Sequence, residues 1–145
     1  MVNYMLNKKS EANFEIAVIC LDKNDENFFS VGVSRAYYAI FQATKYLLVK
    51  KSFDYKKFKK NEPTAKQQRD YAHGSIIIAL EYFLLNSGFN DQDDLIFMKE
   101  MHSTFSKLYY WRLQGDYEKT SISKEILEDV VKRAGLFINK LKKYY

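Results

Sequence analysis

Only one proline, Pro63, and five glycines occur in 145 residues, so most of the chain contains nothing that interrupts a helix. A nearly all-α fold is therefore expected. Ala12, Ile16, Ile19 and Cys20 recur at helical spacing, with Met5 and Leu6 about two turns earlier, which predicts a first helix over residues 3–23. Asn24, Asp25 and Asn27 break it. A longer second helix is predicted over residues 26–51, with Val33, Tyr37, Ile40, Phe41, Thr44, Leu47 and Leu48 as a wide, aromatic inward stripe.

Between Phe53 and Gln68 the apolar period lapses and lysines dominate around Pro63, so this segment reads as a loop or a poorly ordered excursion. Periodicity resumes at Tyr71 and runs through Ile76, Ile77, Leu80, Phe83 and Leu84 to Asn86-Ser87-Gly88, with Gly88 suited to the left-handed residue of a C-cap. Asp91, Asp93 and Asp94 place negative charge where a helix N-terminus favours it. They open a fourth helix through Met98, Met101, Phe105, Leu108 and Tyr109 that ends near Gly115. Ser123 is the expected N-cap of a last helix whose apolar face runs from Ile126 to Leu141, closed by Lys140, Lys142 and Lys143. One domain, an antiparallel bundle of about five helices spanning residues 1–145, is the economical architecture.

A chain of this length buries roughly 70% of the surface its unfolded form exposes, enough for a core without staples. The lone Cys20 provides no disulfide framework. No apolar run approaches the roughly 20 residues that cross a bilayer, and residues 1–10 lack the apolar stretch of a secretory signal. The expected location is a reducing cytoplasm.

Charge is concentrated. Lys50, Lys51, Lys56, Lys57, Lys59, Lys60, Lys66 and Arg69 face only Asp54 and Glu62 in residues 50–69, while the whole chain carries +5. Two readings stand: a solvated loop that maintains solubility, or a phosphate contact in which Lys56, Lys57, Lys59 and Lys60 displace condensed counterions.

One Cys and two His, His73 and His102, offer no CxxC, HxH or HExxH spacing, so neither a metal site nor a bound cofactor is expected. GxGxxG and GxxxxGK loops and a GxSxG elbow are also missing from the sequence. Arg35 lies in an aromatic segment, where a long cation must snorkel or find a partner. Asp116 is its expected partner, in an ion pair pinning the end of the fourth helix to the second.

Arg69 and His73 are four apart and on one helix would share a face. An Arg holding a scissile phosphate and a His moving a proton can cleave RNA without metal, since the 2′-hydroxyl is the nucleophile. The competing reading makes His73 a solvated or capping residue. His102 reads as a satisfied packing residue. Twelve tyrosines, several beside cations, fill the core or stack bases.

The segment SRAYYAIFQATKYLL at 34–48, HGSI at 73–76 and RLQGDY at 112–117 together resemble the small prokaryotic branch of the HEPN domains. The three motifs fit in order and spacing over most of the chain. The resemblance implies a helical bundle that forms a homodimer, often encoded beside a nucleotidyltransferase partner in toxin–antitoxin or defence loci. It also implies action on RNA, either as a metal-independent endoribonuclease or as a non-catalytic module binding RNA, a nucleotide or a partner protein. The family nuclease pairs two copies of an Arg-x(4-6)-His motif across its dimer; here three residues separate Arg69 from His73. The motif residues carried by Arg35, Tyr38, His73, Arg112, Asp116 and Tyr117 are the cluster the resemblance implies, with Arg69, His73 and Arg35 near the phosphate. Tyr117 or Tyr71 would accept a nucleotidyl group from such a partner.

Overall fold

The computed structural model describes residues 2–117 and 121–145. The described residues are helical throughout their regular structure: α1 (Val2–Asp22), α2 (Phe29–Lys50), α3 (Tyr55–Asn61), α4 (Ile76–Asn86), α5 (Gln92–Tyr117) and α6 (Lys124–Leu141), with single 3₁₀ turns at Glu26–Phe28 and Lys142–Tyr144. The expected all-α bundle thus has six helices among the described residues rather than five.

α2 is the hub, touching α1, α4, α5 and α6. Its side chains from Val33 through Tyr37, Ile40 and Leu47 are fully buried, as the wide apolar stripe requires. Gly32 lets α6 come close: a Cβ there would lie 2.8 Å from Leu127 Cδ1. Asn24, at φ 52°, ends the first helical stretch, and Asp25 accepts from the Asn27 N–H at 3.0 Å to start the next.

The extra helix is α3, inside the segment the lysines make look like a loop. Asp54 caps it by accepting from the Lys57 N–H at 3.0 Å. Tyr55 and Phe58, three apart, turn inward and are buried, as is Ala65 further on. Two apolar anchors are enough to dock a short helix, while its lysines stay on the outer side.

α4 starts five residues later than the periodicity suggests. Tyr71 has φ 58°, a conformation no helix accommodates, and residues 62–75 wind through successive turns closed by bonds such as Ala72 N–H to Arg69 and Ser75 N–H to Ala72. At the other end Gly88 takes the expected left-handed conformation, at φ 82°.

Asp91 and Asp94 cap α5 reciprocally: the Asp94 N–H donates to Asp91 at 2.8 Å and the Asp91 N–H to Asp94 at 3.3 Å. The buried Asp94 carboxylate also accepts from the Tyr144 hydroxyl at 2.6 Å and from Lys143 at 2.9 Å, tying the C-terminal turn to α5. Those bonds hold its carboxyl below the usual carboxylate range. Ser123 caps α6 as expected, accepting from the Ile126 N–H at 3.2 Å. No described helix is long and apolar enough to cross a membrane.

Candidate functional site

The turns before α4 lay His73 against α2. Its Nδ1 lies 2.5 Å from the Tyr37 hydroxyl, and Tyr37 is completely buried. Around Tyr37 stand Tyr38 and Phe41 from α2 and Phe105 and Tyr109 from α5, with ring centroids 5.4–6.3 Å away. His73 itself packs on Phe41 at 4.5 Å and stacks on Tyr109 at 6.1 Å.

Arg112 closes the cluster. Its guanidinium carbon sits 4.9 Å from the Tyr38 ring centre, 5.3 Å from Tyr37 and 6.0 Å from Tyr109, a cation held over three ring faces. Arg112 is only 9% exposed. Asp116, one turn further along α5, brings a carboxylate oxygen within 3.4 Å of Arg112 Nε. That oxygen is off the N–H axis, so the contact is Coulombic, and Nε makes no hydrogen bond with any described residue.

The electrostatics follow from burial and from two cations. Desolvation, then the charges of Arg112 and Arg69, push the His73 imidazole below its ordinary value, so the ring is neutral at pH 7. Burial raises Tyr37 far above the ordinary phenol range, so its hydroxyl keeps its proton. A buried phenol with one described partner donates to that partner; Nδ1 accepts, and the imidazole proton resides on Nε2. The outcome is a ring N–H donor that feels the positive charge of both Arg112 and Arg69, a setting suited to an anion.

Several expected placements are corrected. Arg69 and His73 do not share a helix face, because both precede α4 in irregular turns; they are brought within Coulombic range by those turns instead. Arg35 does not pair with Asp116. It lies two residues before Tyr37 on α2, nearly on the opposite side of the helix, is exposed, and donates from Nη1 to Asn13 of α1 at 3.3 Å. Asp116 meets Arg112 instead. Arg35 therefore stands apart from the His73 cluster, whereas Tyr38, Arg112 and Asp116 belong to it.

Tyr117 is 71% exposed at the end of α5, while Tyr71 is half-buried. Lys56, Lys57 and Lys60 are exposed on α3, and Lys59 is paired with Asp70 at 3.0 Å. His102, expected to pack in the core, instead lies part-exposed against the Glu81 carboxylate of α4. Among the described residues, no three His, Cys, Asp or Glu side chains converge in a way that could hold a metal ion.

Sequence reasoning places Tyr37 and Tyr109 in the apolar stripes of their helices but misses that both meet His73. It also misses Tyr55, whose hydroxyl lies 2.6 Å from Ser75 Oγ and so links α3 to the His73 turn. The adjacent aromatics Tyr37-Tyr38 and Tyr109-Tyr110 are the available signal, but His73, which meets Tyr37, Tyr38 and Tyr109, lies 35 or 36 residues from each of them in the chain. A scan against models of known families finds no match for this chain, and a search of curated proteins returns none.

Proposed function

We propose that this chain is a HEPN-like module that binds RNA, with a backbone phosphate held by His73 Nε2–H, Arg69 and Arg112, as a homodimer in a toxin–antitoxin or defence setting. The observation that carries the reading is the short contact of His73 Nδ1 with the buried Tyr37 hydroxyl, which leaves Nε2 as the donor of a ring that burial and the charges of Arg112 and Arg69 keep neutral. A polyanion rather than a single phosphate is favoured by α3. Its exposed lysines extend the positive field, and Tyr55–Ser75 and Lys59–Asp70 fasten that helix to the same turn.

Binding is favoured over cleavage for a chemical reason. A general base at Nε2 needs the other tautomer, in which Nδ1–H donates to Tyr37 and leaves the buried phenol proton without an acceptor. The supported role is that of the non-catalytic module, whose partner in such a system would be a nucleotidyltransferase; Tyr117, the exposed tyrosine of the two, is the better acceptor for its product.

Fluorescence anisotropy with a short single-stranded RNA tests this. Arg69→Ala and His73→Ala should each weaken binding several-fold, and the RNA should remain intact in EDTA. Unchanged affinity in both variants contradicts the phosphate site. EDTA-resistant cleavage that disappears in His73→Ala contradicts the binding role and establishes the ribonuclease instead.

A further inference from the structure

α1 carries a second, outward-facing apolar stripe that the core does not use. Met5, Ala12, Ile16 and Ile19 follow one another at spacings of seven, four and three and are all exposed, Met5 at 52% and Ile19 at 46%. With 3.6 residues per turn they form one narrow seam. α1 packs on α2 through its other side, where Ser10 donates to the Ala39 carbonyl at 2.8 Å and Asn13 to Gln42 at 3.0 Å.

We infer that this seam is the homodimer contact, formed by α1 lying antiparallel on α1 of a second copy with Ala12 at the two-fold axis. The assignment rests on the homodimer reading above and specifies where the copies meet. Met5 and Ile19 are each seven residues from Ala12, so antiparallel pairing sets Met5 of one copy against Ile19 of the other. Lys8 lies four residues before Ala12 and Glu15 three after it. Both lie on the same flank of the seam, so each Lys8 falls beside a Glu15 of the second copy, within about 1.5 Å of level. That flank thus has its complement in a second copy of itself.

Charge also decides against a lipid surface as the occupant. Such a helix carries lysines along its whole polar face, whereas here Glu11, Glu15 and Asp22 accompany Lys8, Lys9 and Lys23, all exposed. The small Ala12 at the centre permits close approach of the two helices. The seam also lies across α2 from the functional cluster, because α1 contacts the Arg35, Ala39 and Gln42 side while Tyr37 and Phe41 face His73. Each copy therefore retains its own complete cluster, and no residue crosses between them.

Light scattering of the full chain, combined with mild oxidation of Ala12→Cys, tests the assignment. The account predicts a dimer, rapid disulfide formation at Ala12→Cys, and little at Leu95→Cys, an exposed apolar position away from the seam. The wild-type chain, whose only thiol, Cys20, is buried, should not cross-link. Ile16→Glu should weaken dimerisation at least tenfold with an unchanged helical circular dichroism spectrum. A monomer at about 100 μM overturns the homodimer and the seam together. A dimer that Ile16→Glu leaves intact, or that cross-links no faster at Ala12→Cys than at Leu95→Cys, overturns the seam alone.

Discussion

The Tyr37 hydroxyl lies 2.5 Å from His73 Nδ1 inside a shell of four further aromatic rings. That bond determines which nitrogen of His73 is left as a donor, and therefore what the cluster can bind. A hydroxyl donating to Nδ1 also stabilises the neutral ring over the imidazolium.

Tyr37→Phe removes that donor and little else. The His73 imidazole should then titrate at higher pH than in the wild type, and the fold should lose about 1 kcal/mol. Histidine NMR titration checks the first expectation and urea denaturation the second. A His73 pKa that stays put or falls would show that the hydroxyl does not hold the tautomer.

His73 also links stability to pH. Its folded-state value is lowered from 6.5, so below that pH the unfolded chain binds more protons than the folded one, and stability falls as pH drops through 6.5. His73→Gln should abolish this part of the slope. Denaturation of both proteins at pH 7.5 and 5.5 measures it. An equal loss of stability in the two would mean that His73 makes no such contribution.

The lysines of α3 are not equivalent. Lys56, Lys57 and Lys60 are exposed, whereas Lys59 is engaged by Asp70. Changing the first three to Gln should flatten the plot of log affinity against log salt by about 0.7 for each phosphate of a single-stranded RNA that is no longer neutralised. Stability should barely change. An unaltered slope would make the patch a solubilising surface.

Phe58 anchors that same helix and is fully buried. Phe58→Ala should cost about 3–5 kcal/mol by chemical denaturation. A loss below 1 kcal/mol would restore the loop reading of residues 53–68.

How much of the structure is legible in the sequence depends on the range of each interaction. Ser123, Gly88 and the Asp91–Asp94 cap act within a few residues, so their roles are legible in spacing alone. α3 is hidden because its two anchors, Tyr55 and Phe58, are outnumbered by lysines that a hydropathy pattern reads as solvent-facing. The expected Arg35–Asp116 pair fails because charge alone does not say which side of α2 Arg35 occupies, and Asn13 is nearer. In the cluster, Tyr38, His73, Arg112 and Asp116 are legible as a set of motifs. Their arrangement around Tyr37 is not, because packing of α2 against α5 creates it.

The most direct measurement is the ¹⁵N imidazole spectrum of His73 at pH 7, with and without a short single-stranded RNA. The account predicts a neutral ring protonated on Nε2 in the free protein and a marked change of the Nε2 signal on adding RNA that is abolished in Arg69→Ala. A proton on Nδ1 in the free protein, or an Nε2 signal indifferent to saturating RNA, would contradict the claim that this cluster holds the phosphate.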